Sequence, residues 1–137
     1  MSDIIDLSSY DPEGIPEPTV HEEGTEIEAR ITNIIKGTDK NGDDYIMPWF
    51  EDSEDANVED FSKYMPLPSK EATEKQNRRR LRDLVSFSEC FDLPIFDGEF
   101  DLEDGKGAKG WIIVGIGKDQ DGNRVNTAKK FLAGQVG

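Results

Sequence analysis

The sequence predicts a mainly β domain with one helix, its elements running β-β-β-α-β-β. Three observations carry that expectation. The stretch TEIEARI, residues 25–31, alternates apolar and polar residues, the period of a half-buried strand. Two pairs, Asn41-Gly42 and Asp121-Gly122, stand where strands must reverse, since such residues tolerate positive φ. Residues 73–91 form the single long segment with apolar residues at helical spacing.

In chain order, Ile27, Ala29 and Ile31 face one way and Glu26, Glu28 and Arg30 the other. Ile34 and Ile35 break that alternation, so a bulge is expected there. After the turn KGTDKNGDD, Tyr45 to Phe50 is the return strand. The acidic EDSEDANVED is loop, and FSKYMPLP is a short edge strand, because Pro66 and Pro68 remove backbone donors. Thr73 with Gln76 makes a capping box at the start of the helix. Leu81, Leu84, Val85 and Ser88, with Phe91 a turn beyond, form its expected apolar stripe, and Asp92-Leu93-Pro94 ends it. A second hairpin follows, from Trp111 to Ile116 and from Val125 to Leu132.

This order is that of the OB-fold, a small Greek-key barrel whose helix falls between its third and fourth strands. A plain α+β sandwich has the same string. The expected domain covers residues 25–134. Residues 1–24, broken by Pro12, Pro16, Pro18, Gly14 and Gly24, are a flexible tail or a strap across the domain. Deleting residues 1–22 is therefore expected to leave the domain folded.

The arrangement EARITNIIKGTDKNGDDYIMPWF, then an Arg-rich helix, then FDLEDGKGAKGWIIVGIGKDQDGNRVNTAKKFL resembles small phage-encoded OB-fold proteins related to single-stranded-DNA-binding proteins. In those a hairpin with a KG turn precedes a helix, and a Gly-Trp strand and a final Val-Lys-Phe strand follow. The resemblance is one of layout and covers residues 24–133. It implies a role in viral DNA replication or recombination, in the host cytoplasm. The C-terminal FLAGQVG departs from it, lacking the acidic tail that many such proteins use to recruit partners.

Composition narrows the classes of function. The 137 residues are 34% hydrophobic and 34% charged, with one cysteine and one histidine, which leaves no internal disulfide and no His-rich metal site. No apolar run reaches membrane-spanning length. The opening MSDIIDLSSYDPEG has neither the basic start nor the apolar middle of a signal peptide, so a soluble cytoplasmic protein is expected. The net charge of −14 is uneven: residues 1–60 carry 18 acids and 3 bases, residues 61–137 carry 12 acids and 13 bases. A surface this acidic does not attract nucleic acid as a whole, although a narrow basic groove remains compatible with it.

Enzyme chemistry has little to work with, and none is expected. His21 lies in the tail, and Cys90 beside Phe91 reads as a small buried thiol. Gly105, Gly107 and Gly110 precede a strand, whereas a phosphate loop follows one and opens a helix. DKNGDD and DQDGN resemble the start of a calcium loop, but the closing position holds Phe50 in one and Lys130 in the other, so both are tight turns. No cofactor and no metal are expected.

Binding chemistry is better supplied. OB-folds bind ligands on strands two and three, between the loop joining strands one and two and that joining four and five. Here those loops bring Lys36, Lys40, Lys118 and Arg124, and Tyr45, Met47 and Trp49 share one face of strand two. Arg30 on the first strand and Lys129 on the last complete the expected site; Lys129 and Lys130 alternate, so at most one of them lines a groove. An aromatic face flanked by bases suits sequence-independent stacking of single-stranded DNA. The bland alternatives are that Trp49, Phe50 and Trp111 are core, and that Arg78-Arg79-Arg80 is a solvated helix face neutralised by the acidic loop. A different class of function also fits: an acidic mimic of nucleic acid, or a protein–protein module that inhibits or recruits a DNA-processing enzyme. The position of EDSEDANVED, away from the aromatic face or over it, separates the two.

Overall fold

The computed structural model describes residues 3–132. Residues 1–2 and 133–137, with the last two residues of the expected domain and most of FLAGQVG, lie outside the described residues. Strand β1 spans Glu26–Thr38, β2 Asp44–Asp52, β3 Phe61–Ser62, β4 Met65–Pro66, β5 Lys109–Lys118 and β6 Arg124–Phe131, and helix α1 spans Glu74–Phe91. The sheet runs β3-β2-β1-β5-β6, with β4 also on β2, and every pairing between these strands is antiparallel. It curls into a nearly closed barrel, the small OB-like β+α architecture. Across the remaining seam the Lys63 ammonium donates to the Ala128 carbonyl at 3.4 Å.

Both hairpins turn in the same way. Asp39 Oδ1 accepts from the amides of Asn41 and Asp43, and Asp119 Oδ1 accepts from those of Asp121 and Asn123, all within 2.9–3.0 Å. Gly42 takes φ 84°, a left-handed conformation that costs a glycine nothing. The leading carboxylate of each turn, Asp39 and Asp119, thus gives one oxygen to its own backbone.

The bulge falls earlier than Ile34-Ile35, between Ile31 and Asn33. It absorbs Thr32, so that Ile34 turns inward and Ile35 outward. The edge strand is divided into β3 and β4, yet both pieces keep one register on β2. The break lies opposite Pro48. Its carbonyl accepts from the Lys63 amide at 3.1 Å, but proline has no N–H to return the bond.

The barrel is filled by rings. Phe50 is fully buried, with centroids 5.7 Å from Phe61, 5.5 Å from Phe91 and 6.0 Å from Phe131. Helix α1 closes one end of this cluster. Its capping box forms as expected: Thr73 Oγ1 accepts from the Gln76 amide, and Gln76 Oε1 accepts from the Thr73 amide. Asp92 ends it in the left-handed region, ahead of Pro94. The buried stripe differs from the expected one, being Leu84, Phe87 and Phe91, while Leu81 and Val85 each remain 39% exposed. Phe91 belongs to both stripes; Phe87 selects this face, its ring lying 5.4 Å from those of Phe91 and Phe131, in a ring cluster that Leu81 and Val85 cannot join.

The N-terminal segment divides into two parts. Residues 3–18 are exposed almost throughout. From Thr19 the chain is a strap: Thr19 bridges Val58, and the Gly24 amide donates to the Val114 carbonyl at 2.9 Å. Asn126, buried inside β6, accepts from the His21 amide and donates to the His21 carbonyl, both at 2.9 Å. The side chain thus replaces a neighbouring strand. His21 Nε2 lies 2.8 Å from Oδ2 of Asp52, whose carboxylate is almost wholly buried.

Candidate nucleic-acid interface

Alternation along β2 sorts its side chains. Ile46, Pro48, Phe50 and Asp52 are buried, whereas Tyr45, Met47 and Trp49 stand half-buried on the outer face. Cross-strand pairing adds Asn33 and Ile35 from β1, opposite Trp49 and Met47. Tyr64, between β3 and β4, brings its ring to 4.9 Å from that of Tyr45 at a 44° tilt. Tyr45 lies against Gly37, where an added Cβ would come within 2.7 Å of the phenolic oxygen. Ile35, Tyr45, Met47, Tyr64 and Trp49 thus make one apolar and aromatic strip outside the core.

The two ends of the strip differ. At the Tyr45 end the β1–β2 turn is latched from both sides. The Tyr64 hydroxyl donates to Asp39 Oδ2 at 2.6 Å, and Arg80 of α1 reaches Asp43 at 3.5 Å. That hydrogen bond pushes the Tyr64 phenol up to about 12 and holds the Asp39 carboxyl below its usual value. At the other end Trp49 enters a groove of about 1130 Å³ over the seam between β3 and β6. Its floor includes Ser62, Val125 and Thr127, and its walls are Glu17 and Pro18, just ahead of the strap, and the β5–β6 turn. Glu59, Asp60, Asp119 and Asp121 border it, against Lys118 and Arg124. Burial, then Glu51 and Glu59, raise the Asp60 carboxyl above its usual value.

Of the bases and rings read from the sequence, the fold gathers Trp49, Lys118 and Arg124 into this one groove, Lys118 and Arg124 being cross-strand partners. Tyr45 shares the strip with Trp49. Arg30 is on the outer face but is ion-paired with Glu51. Lys36 pairs with Ile46, so it faces away from the strip, exposed near the end of β1. Lys40 is exposed on the β1–β2 turn. Lys129 sits at the bulge of β6, 3.9 Å from Glu23, and lines neither end. Tyr64 and Lys63 went unread. Their only signal was the edge strand FSKYMPLP, whose register across from Tyr45 no local pattern shows.

The acidic segment is split by role. Asp52 Oδ1 accepts from the amides of Glu54 and Asp55, and Asp55 Oδ1 from that of Asn57, so these two carboxylates build the loop. Glu59 and Asp60 border Trp49. The segment therefore stands beside the Trp49 end of the strip and away from the Tyr45–Tyr64 end. His21 and Cys90 have structural partners too: Cys90 Sγ donates to the Trp111 carbonyl at 3.2 Å, and burial raises its thiol to about 11. Among the described residues no helix is long and apolar enough to cross a membrane. No family model matches this chain, and no curated protein matches it.

Proposed function

We propose that this protein binds single-stranded DNA without catalysis, laying bases on the outer strip from Tyr45 and Tyr64 to Trp49. The observation that carries the reading is that these rings occupy the non-core side of β2 and its edge partner, contiguous and accessible. Stacking a base on such a ring contributes about 1–3 kcal/mol and requires no particular sequence. Lys118 and Arg124 supply phosphate contacts at the groove; the acids around it limit their number and confine the strand to the strip. A place in viral DNA replication or recombination, beside a protein partner of that machinery, rests on the resemblance in layout alone.

One observation favours a second reading. The groove beside Trp49 is bordered by Glu17, Glu59, Asp60, Asp119 and Asp121 against Lys118 and Arg124, a surplus of negative charge that suits a basic segment of a partner protein. Fluorescence titration separates the two. With Trp111→Phe as background, Trp49 is the sole reporter, and an oligonucleotide should quench it with a shallow salt dependence, about 0.7 in log–log slope per phosphate contact. A lysine-rich peptide that quenches Trp49 where the oligonucleotide does not would establish the second reading instead.

A further inference from the structure

Helix α1 carries Lys75, Arg78, Arg79 and Arg82 around one shallow hollow on its solvent side. We propose that this hollow is a phosphate-backbone site for the continuation of the same single strand, a deepening that rests on the stacking reading above. The four bases are spaced i, i+3 or i, i+4 (75/78, 75/79, 78/82, 79/82), so they are neighbours on the helix surface and repel one another. They also lie in the first half of the helix, where the macrodipole disfavours cations. Local rules broken together in this way mark a functional surface.

The expected neutralisation by the acidic loop does not occur. Arg80 alone turns to a carboxylate of the sheet, Asp43 of the β1–β2 turn. Glu74 lies 3.4 Å from Arg78, and among the described residues Lys75, Arg79 and Arg82 have no carboxylate within 4.0 Å. The first amides of the helix are already served by Thr73 and Gln76, so the capacity for anions resides in the side chains. All four bases are exposed.

Position in the fold joins the hollow to the strip. Arg80 leaves the same helix turn as Arg79 and grips the loop whose Asp39 holds Tyr64. Arg79 stands about 100° round the helix from Arg80, so the hollow lies on the face turned away from the sheet, and a strand leaving the Tyr45–Tyr64 end reaches it by passing round the helix. At the β1–β2 turn, Lys36, Lys40 and the Arg80 that holds it balance Asp39, Asp43 and Asp44. A strand leaving the tyrosines crosses a nearly neutral tip and reaches four guanidinium and ammonium groups, in a chain whose net charge is −14.

The test compares wild type, Arg79→Ala/Arg82→Ala and the control Lys106→Ala/Lys130→Ala with oligonucleotides of about 4 and about 16 nucleotides, the span of OB-fold site sizes. Melting curves confirm that each variant is folded. The helix pair should bind the short strand as wild type does. On the long strand it should lose affinity several-fold at low salt, with a salt slope shallower by about 1.4 for two lost phosphate contacts. The control should keep the wild-type slope. Normal Trp49 quenching with an unchanged slope for the helix pair overturns the hollow and leaves the strip standing. An equal loss in the control pair, or a helix pair that alters only the sedimentation of the free protein, also overturns it. No quenching of wild type by either strand overturns strip and hollow together.

Discussion

Trp49 and Phe50 are adjacent in sequence and opposite in role, which makes their substitution by alanine the sharpest test of the fold and the site together. Phe50 is fully buried and touches four other phenylalanines, so Phe50→Ala should cost the full range for a buried ring, about 3–5 kcal/mol. Trp49 is half-buried on the outer face. Scaling the same range by half its burial gives roughly 1.5–2.5 kcal/mol for Trp49→Ala. On binding the order reverses: Trp49→Ala should weaken single-stranded DNA by about 1–3 kcal/mol, roughly 5- to 150-fold. Urea denaturation gives the first quantity, and anisotropy of a labelled oligonucleotide gives the second, with both proteins held well below their transitions. If Trp49→Ala destabilises as much as Phe50→Ala and its folded form binds DNA as tightly as wild type, the ring is structural and the stacking argument is wrong.

The strap moves the edge of the dispensable tail. Removing residues 1–16 should leave the melting temperature unchanged, whereas removing 1–22 strips His21 from the buried Asp52 and Asn126 and should cost about 1–3 kcal/mol for each polar group left unsatisfied; equal melting temperatures would refute the strap. Because burial raises the Cys90 thiol from 9.0 to about 11, the folded state holds that proton more tightly than the unfolded chain. Stability should therefore fall as pH rises across that window, and iodoacetamide at pH 8 should label the native protein far more slowly than the urea-unfolded one. Asp60 is shifted upward from 3.8 by burial and by Glu51 and Glu59, so its ionisation opposes folding. Asp60→Asn should raise stability at pH 7, and the gain should vanish as pH falls below the ordinary carboxylate range; a gain independent of pH would mean that packing, not charge, is responsible.

Sequence alone determined the elements whose cause is local. The period of two in TEIEARI, the Asn-Gly and Asp-Gly turns, the Thr73–Gln76 box and the stop at Pro94 each depend on residues within a few positions of one another, and all appear where those residues stand. Alternation along β2 likewise separates Tyr45, Met47 and Trp49 from Ile46 and Phe50 before any tertiary contact is known. The rest is non-local. Two helix faces were apolar enough to bury, and only the ring cluster of Phe50 and Phe131 selects the one with Phe87. The separation of 105 positions between His21 and Asn126 hides the clasp that turns part of a proline-broken tail into a strap. The groove exists because the barrel seam brings Trp49 beside Lys118 and Arg124, residues on a different hairpin. Tyr64 joins the strip because one register aligns its strand with Tyr45, and among the described residues Arg79 and Arg82 are left without a carboxylate because Asp43 takes Arg80 and Glu74 takes Arg78. In each case the chain presents the chemistry, and the packing of distant segments decides which groups meet.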